Sequence, residues 1–255
     1  MKYLKLIFVL LVTIVTSCSK KDSNQLTNSQ IISEYSSEMC SGLTGAKALY
    51  WDSVNGIAVP LNFVPMLEDI DGQFIHSQLP YLGFQMPTGY LASEINDPSS
   101  QAIGVNVIRN DNNVVWRYIP TITFAGNVSE TDIINFEINQ IMAFHNSTTN
   151  PQIICTESRE LPTNAYITKI IARLINFGNF TATVTVQTMF FPDLNATFSS
   201  ISLVSGPKNE YDLLIEKIFL PLHWQLLIGP EGVQDSDLDG YPDEQDAEPY
   251  NPNVN

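Results

Sequence analysis

Apolar and polar residues alternate repeatedly through the middle of the chain, where they predict short β-strands. Ile103, Val105 and Val107 occupy every second position, an Asn- and Asp-rich turn follows at 110–113, and residues 115–118 read Val-Trp-Arg-Tyr. Because the side chains of a strand point alternately to its two faces, this spacing predicts a half-buried β-hairpin.

A second pair of strands is predicted within residues 165–191, with its turn around Gly178 and Asn179. In the later strand, Thr181, Thr183 and Thr185 alternate with apolar residues. This alternation predicts that one face of the strand meets water.

The run 132–144 alternates as well, with Ile134, Phe136 and Ile138 between polar neighbours, and predicts another half-buried strand. Helical patterns are fewer: residues 29–39 and 208–219 each predict a short helix. Together the elements predict a mainly β fold, an antiparallel β-sandwich, with the option of two small β units meeting near Ser129.

Length and composition suit a domain of this kind. The chain has 255 residues, of which 44% are hydrophobic and 10% aromatic, so it can bury a sizeable core. Its formal net charge is -15. This charge argues against a nucleic-acid partner, since binding to phosphate backbones requires a basic surface.

The N-terminus has the order of a secretory signal peptide. Lys2 and Lys5 precede an apolar run from Leu6 to Val15, which is too short for a comfortable membrane span, and small residues follow it. A signal peptide over residues 1–17 is therefore predicted.

The residues from Val15 to Cys18, Val-Thr-Ser-Cys, resemble the lipobox of bacterial lipoproteins. The resemblance implies cleavage before Cys18, acylation of this cysteine and membrane anchoring through several acyl chains. Ser19 resembles the residue that follows the cysteine in lipoproteins sent to the outer membrane of Gram-negative bacteria. An ordinary signal peptide with a chance cysteine is the alternative.

The C-terminal segment concentrates negative charge. From residue 231 onward there is no Lys or Arg, and such a segment repels itself unless it binds a cation. Aspartates at 235, 237 and 239 lead into Gly240, where the chain can turn sharply, and further aspartates stand at 243 and 246. This spacing lets several oxygens converge on one calcium ion; a disordered acidic tail is the alternative.

The pattern D-x-D-x-D-G-x-x-D-x-x-D resembles the calcium-binding repeat of the thrombospondin type 3 family, over residues 233–253 only. Pro242 and the absence of a glutamate at the last ligand position distinguish it from an EF-hand. The resemblance implies Ca²⁺ as a cofactor, held by Asp235, Asp237, Asp239, the backbone carbonyl of Tyr241, Asp243 and Asp246.

Cys40 and Cys155 are the cysteines that remain beside Cys18, and none of them forms a CxxC motif. In an exported chain the two allow a disulfide; two separate buried thiols are the alternative.

These features divide the chain into four parts. They are the signal peptide at 1–17, the acylated cysteine with a flexible tether at 18–41, the β-rich domain at 42–230 and the acidic calcium-binding repeat at 231–255.

Candidate catalytic groups are sparse. His76, His145 and His223 are isolated, and the common metalloprotease, serine-hydrolase and phosphate-loop motifs do not occur. The carboxylates at 68, 69 and 71 allow an acid–base pair for glycoside hydrolysis, although Asp-Gly at 71–72 is more typical of a hairpin turn.

Several aromatic residues allow a sugar-stacking platform, although core packing is the favoured interpretation: Trp51, Trp116, Trp224, Tyr81, Phe84 and Tyr90. The Pro- and Gly-rich run 79–91 is the segment in which a binding loop is expected.

The leading hypothesis is a non-enzymatic outer-membrane lipoprotein, a binding or adhesion module with a glycan or protein ligand and a calcium-ordered C-terminal loop. The membrane is its expected partner through the lipid anchor. Two alternatives are an enzyme that acts on surface polysaccharide and a glycan-binding lipoprotein that serves an uptake system.

Overall fold

The computed structural model describes residues 28–59, 65–79, 82–162 and 166–228. The predicted signal peptide, Cys18 and the predicted calcium loop with its ligands, Asp235, Asp237, Asp239, Tyr241, Asp243 and Asp246, lie outside the described residues.

The strands of the described part are β1 Ile70–Ile75, β2 Gly83–Pro87, β3 Tyr90–Asp97, β4 Ala102–Arg109, β5 Val115–Ala125, β6 Gln152–Pro162, β7 Ile167–Phe177, β8 Phe180–Phe191 and β9 Ala196–Pro207. The α-helices are α1 Asn28–Glu34, α2 Gly45–Val54, α3 Glu130–Phe144, α4 Tyr211–Leu214 and α5 Leu220–Ile228. A 3₁₀ turn spans Pro192–Leu194, and a π-helical turn, Ile215–Phe219, joins α4 to α5.

Seven strands form one antiparallel sheet in the order β3-β4-β5-β9-β8-β7-β6, while β1 and β2 form a separate antiparallel pair. The prediction of a mainly β, antiparallel fold is therefore confirmed. The β1–β2 pair shares its layer with α1, α2, α4 and α5 over one face of the large sheet, and α3 covers the other face. Because β5 pairs with β9, strands from both sides of Ser129 belong to one sheet.

Both predicted hairpins are confirmed as the β4–β5 and β7–β8 pairs, and the second turns at Gly178 and Asn179. The prediction that one face of β8 meets water is wrong. Thr183 is only 4% exposed, and its hydroxyl lies 2.9 Å from the phenol oxygen of Tyr211. Helices cover this face too, and the Thr181 hydroxyl likewise bonds within the protein, by donating to Oδ1 of Asn176 at 2.7 Å.

The strand predicted at 132–144 is wrong, because these residues form α3. The Ser129 hydroxyl caps the helix by accepting a hydrogen bond from the Thr131 N–H at 3.1 Å. The buried residues of α3 recur at helical spacing: Ile133, Ile134, Glu137, Ile138 and Ile141. Phe136, which a strand would bury, is 58% exposed.

The hairpin turn predicted at Asp71 and Gly72 is also wrong. Gly72 lies within β1 with φ +84°, at an irregularity in the register between Ile70 and Gln73. A positive φ is readily adopted by glycine, and here it serves a bulge rather than a turn.

Both predicted helices form, although their bounds differ from the predicted ones. The first is α1, which ends at Glu34, and the second begins at Tyr211 and continues beyond Pro221. The π-helical turn precedes Pro221, where the helical hydrogen-bond ladder must adjust to a residue without an N–H.

An ion pair fixes α3 to the sheet. Arg117 of β5 donates from Nη1 to Oε2 of Glu137 at 2.7 Å and from Nε to Oδ1 of Asn106 at 2.7 Å. Glu137 is 5% exposed, so loss of Arg117 would leave a buried charge without compensation.

A disulfide and a buried carboxylate hold the N-terminal segment. Cys40 is bonded to Cys155 of β6, with Cα atoms 6.1 Å apart and a sequence separation of 115. Asp52 of α2 is fully buried and accepts hydrogen bonds from the Tyr35 phenol at 2.8 Å and the Ser37 hydroxyl at 2.5 Å. Burial and this carboxylate raise the pKa of Tyr35 above its ordinary value.

Gly104 allows β4 to approach β5 closely. A Cβ at this position would lie closer than contact distance to the carbonyl oxygen of Tyr118 and 2.9 Å from Cα of Ile119. We therefore expect Gly104→Ala to lower the free energy of unfolding by about 1–3 kcal/mol, because the strands must separate. Urea unfolding measures this change.

The matched control is Ser93→Ala on the exposed neighbouring strand β3, which should change stability by less than about 0.5 kcal/mol. Equal stability of the Gly104→Ala variant and the native chain would contradict the close approach.

Candidate functional site

The large sheet has a covered end and an open end. Two clusters of buried apolar side chains, one on each face of the large sheet, form its core. They include apolar residues of β8 as far as Val186 and apolar residues of β9 from Ile201 onward. Beyond these positions lies the turn from β8 to β9, where aromatic residues remain partly exposed. Ligand sites usually combine apolar walls with a few polar groups, and two concavities lie at this end of the sheet.

A concavity of about 510 Å³, the sheet-end groove, opens on the face that also carries the β1–β2 pair. Its lining residues are Tyr118, Pro120, Thr121, Gln187, Met189, Phe191, Leu194, Phe198, Ser199 and Ser200. These side chains are apolar or carry neutral amides and hydroxyls, and Leu194 at the rim is 65% exposed. The groove therefore presents an uncharged, mixed surface.

Three strands supply the groove because of their pairing order. Gln187, Met189 and Phe191 stand at every second position of β8, so they share one face. The rings of Phe191 and Phe198 meet edge to face across the β8–β9 pair, with centroids 5.4 Å apart. This geometry is favourable for aromatic rings and holds the wall in place.

The β5 side of the groove depends on a bulge. The pairing of β5 with β9 is irregular between Ile119 and Ile122, and Pro120 lies within that interval. Proline has no N–H to donate to a ladder, so it is tolerated in an inner strand at a bulge. The bulge brings Pro120 and Thr121 into the lining.

The polar groups of the groove are neutral. Its lining includes the hydroxyls of Thr121 and Ser200 and the amide of Gln187. Burial raises the pKa of the Tyr118 phenol, so this ring is protonated and neutral at physiological pH. Hydrogen bonding here is thus available to a neutral ligand.

A second pocket, of about 340 Å³, lies on the opposite face of the same sheet end. Its lining residues are Asn127, Val128, Glu160, Tyr166, Ile167, Lys169, Thr188, Phe190 and Pro192. Lys169 Nζ lies 3.8 Å from Oε2 of Glu160, so this pocket carries charge, unlike the groove.

The predicted sugar platform does not assemble among the described residues. Trp51, Trp116 and Phe84 are at most 1% exposed and pack in the core, which confirms the core interpretation for these three. Trp224 and Tyr90 are partly buried against the same cluster, and Tyr81 lies outside the described residues.

The three carboxylates considered for acid–base chemistry lie at the surface. Glu68 pairs with Lys217, and Asp69 and Asp71 are exposed. Within the described residues, no group of three or more His, Cys, Asp or Glu side chains is placed to hold a metal ion. In the same part of the chain, every helix is too short or too polar to cross a membrane.

The histidines are separate in space as well as in sequence. His76 is fully buried, and its Nε2 lies 3.3 Å from the carbonyl oxygen of Ile95. His145 follows α3, stacks on Phe180 with centroids 3.9 Å apart, and places Nε2 2.8 Å from the Ser205 hydroxyl. His223 lies on α5, where its ring approaches that of Tyr50.

The groove residues were not among the sequence candidates. A signal was nevertheless present, because residues 189–191 are apolar on both faces of β8 at its very end. Where such a strand extends past the buried core, its apolar side chains are either covered by another molecule or form a binding surface.

No family model matches the chain, and no curated protein matches it. Three solved structures show a slight likeness. The cyanobacterial PsbP protein (CyanoP) of Synechocystis sp. PCC 6803 is 9% identical, with coverage of 63% of this chain and 91% of that one, at a TM-score of 0.30.

LpqN of Mycobacterium tuberculosis, described as involved in cell envelope biogenesis, is 10% identical over 54% of this chain and 78% of its own, with a TM-score of 0.30. The Ran-binding protein Mog1p of Saccharomyces cerevisiae is 11% identical over 62% and 92%, again at 0.30. Likeness at this level does not assign a function.

Burial of His145 predicts a pH-dependent stability. Burial lowers the pKa of His145 from an ordinary value of 6.5 to about 4. Between these values the unfolded chain binds the proton and the folded chain does not, so stability falls as pH decreases from 6.5 toward 4. The pKa of His223 is lowered to about 4 by burial as well and acts in the same direction.

We expect His145→Gln to reduce this loss of stability, which urea unfolding at a series of pH values would measure. Thr148→Ala, an exposed change nearby, serves as the control and should keep the native slope. An unchanged slope in His145→Gln would show that this ring is not held neutral by the fold.

Proposed function

We propose that the protein is a cell-envelope lipoprotein that serves as a binding module, with a neutral glycan as the ligand of the sheet-end groove. Cys18 would anchor it to the outer membrane, and the C-terminal loop would bind Ca²⁺. The observation that carries the binding role is the sheet-end groove, with its aromatic walls and neutral polar groups.

The chemistry of the groove supports a saccharide. Sugars combine apolar C–H faces with a rim of hydroxyl groups and no charge, so one face can pack on an aromatic ring while the rim forms hydrogen bonds. Phe198 and Tyr118 supply rings, and Gln187 supplies an amide. The volume of about 510 Å³ lies within the usual range for small-molecule sites.

The sequence supports the other two parts of the proposal. The lipobox-like residues before Cys18 support the anchor, and the aspartates at 235–246 support the calcium loop. Gln225 of α5 accepts a hydrogen bond from the Gln85 N–H of β2 at 2.6 Å, so the segment after α5 starts from an element tied to the domain. A bound ion would order the chain from that point on.

The alternative of a polysaccharide-acting enzyme requires a pair of carboxylates in the common mechanism of glycoside hydrolysis. The described lining of the two concavities supplies one, Glu160 of the second pocket. The binding module is therefore the better-supported hypothesis.

Loss of an aromatic wall should weaken glycan binding. We expect Phe198→Ala to reduce the affinity for neutral oligosaccharides (malto-, cello- or chito-oligosaccharides) about tenfold, because one stacking surface is removed. Isothermal titration calorimetry on the chain from Ser19 onward measures this change.

The matched control is Phe136→Ala, which removes an exposed ring from α3 on the opposite face of the sheet and should leave affinity unchanged. Equal weakening by both variants, or the absence of binding to all three sugar types at millimolar concentration, would refute the glycan proposal.

Calcium binding by the C-terminal loop can be tested separately. We expect the chain to bind Ca²⁺ with a Kd on the order of 10⁻⁴ to 10⁻³ M, as extracellular calcium modules do. Asp237→Asn should weaken binding about tenfold or more, because it removes a charged ligand.

Asp193→Asn, an exposed acid outside the loop, should leave calcium binding intact. Calorimetric titration without a calcium signal in the native chain would overturn the assignment of the loop.

A further inference from the structure

Among the residues that the structure describes, the strand β6 forms one edge of the seven-stranded sheet and pairs with β7 alone. The outward N–H and C=O groups of an edge strand form a template for another strand. We propose that β6 pairs antiparallel with β6 of a second copy of this chain, in a two-fold symmetric dimer centred on Ser158. This inference is independent of the proposed glycan and calcium binding.

Regular geometry confines such pairing to one segment of β6. The ladder between β6 and β7 is irregular between Ile153 and Cys155, and it is regular from Cys155 to Pro162. Regular pairing leaves an evenly spaced row of outward backbone groups, whereas a bulge twists the strand away from a partner. Ser158 lies near the middle of the regular segment.

Symmetry restricts the register further. In a two-fold antiparallel pair one residue faces its own copy, and residues at equal distances on either side face each other. With Ser158 at the centre, Glu157 of each copy lies opposite Arg159 of the other, which gives two ion pairs. A shift of the centre by one residue places Glu157 opposite Glu157 or Arg159 opposite Arg159, and like charges directly opposite are destabilising.

The surroundings of Arg159 favour this pairing. Its Nη2 donates to the carbonyl oxygen of Asn55, which holds the guanidinium in place. Its Nε forms a long ion pair with Oε1 of Glu157 in the same chain, at 3.9 Å. The Arg159 side chain is 29% exposed, so Glu157 of a second copy could add a carboxylate beside the accessible part of the guanidinium at little entropic cost, because the arginine is already ordered.

An exposed apolar side chain also supports pairing of β6 with a second copy. Leu161 near the end of β6 is 49% exposed, and the proposed register places it opposite Cys155 of the second copy. The other edge strand, β3, carries Glu94 and Asp97 but no lysine or arginine. No self-pairing of β3 can form ion pairs, so β6 is the edge suited to a second copy.

Charge reversal and charge exchange test the register. For the chain from Ser19 onward, sedimentation equilibrium over a series of concentrations should show a dimer. Glu157→Arg should weaken dimerisation about tenfold or more, because each ion pair becomes a like-charge pair. The exchange variant Glu157→Arg with Arg159→Glu should restore dimerisation, because the pairs form again with reversed polarity.

Glu94→Arg on β3 is the matched control and should leave dimerisation unchanged. Thermal melting of each variant checks its fold, since Arg159 also bonds to Asn55. A native chain that stays monomeric at every concentration, or an exchange variant that is folded and no better than Glu157→Arg, would overturn the proposal.

A cross-linking experiment tests the register of the β6 pairing even if the exchange variant does not fold. Ser158→Cys places a thiol opposite its own copy, so mild oxidation should produce a covalent dimer. Ser93→Cys, an exposed position on β3, should remain monomeric under the same conditions. Failure of Ser158→Cys to cross-link, or equal cross-linking of both variants, would refute the register.

Discussion

The strands of the large sheet extend beyond the helices that cover its groove face. The strands β8 and β9 contain twelve residues each and therefore extend about 40 Å. On this face the Tyr211 phenol lies beside Thr183 in the first half of β8, whereas Gln187, Met189 and Phe191 at the other end of the strand line the groove. The side chains at that end therefore form the walls of a groove instead of a closed core.

Buried polar contacts attach the covering layers to the other end of the sheet. Arg117 and Glu137 fix α3 to one face, while Asp52 and the Cys40–Cys155 disulfide fix the N-terminal segment and α2 over the other. These groups are buried, so removing one partner leaves a charge or a donor unsatisfied. These contacts therefore hold the covering layers at one end of the sheet, and the groove lies at the other end.

Local sequence patterns predicted the local part of this fold. The hairpins β4–β5 and β7–β8 depend on adjacent strands and a short turn, which the spacing of Ile103, Val105 and Val107 and the Gly178 turn reveal directly. The helix α3 was missed because Ile134, Phe136 and Ile138 alternate over a stretch too short to separate a period of two from one of 3.6. Its capping serine, Ser129, was the better signal.

The groove could not be predicted from the sequence because it depends on the order of distant strands. Residues of β5 reach those of β8 only because β9 lies between the two strands in the sheet. The lipid anchor at Cys18 and the calcium loop at 235–246 rest on local motifs, and both remain predictions.

The central claim is that the sheet-end groove binds a neutral glycan. Nuclear magnetic resonance of the ¹⁵N-labelled chain, titrated with a neutral oligosaccharide, tests this claim most directly. We predict that shifted amide signals cluster at the sheet end, including Thr121, Gln187 and Ser200, while the signals of α3 stay in place. Shifts spread over the surface, or concentrated on α3 or on the charged pocket around Lys169, would contradict the claim.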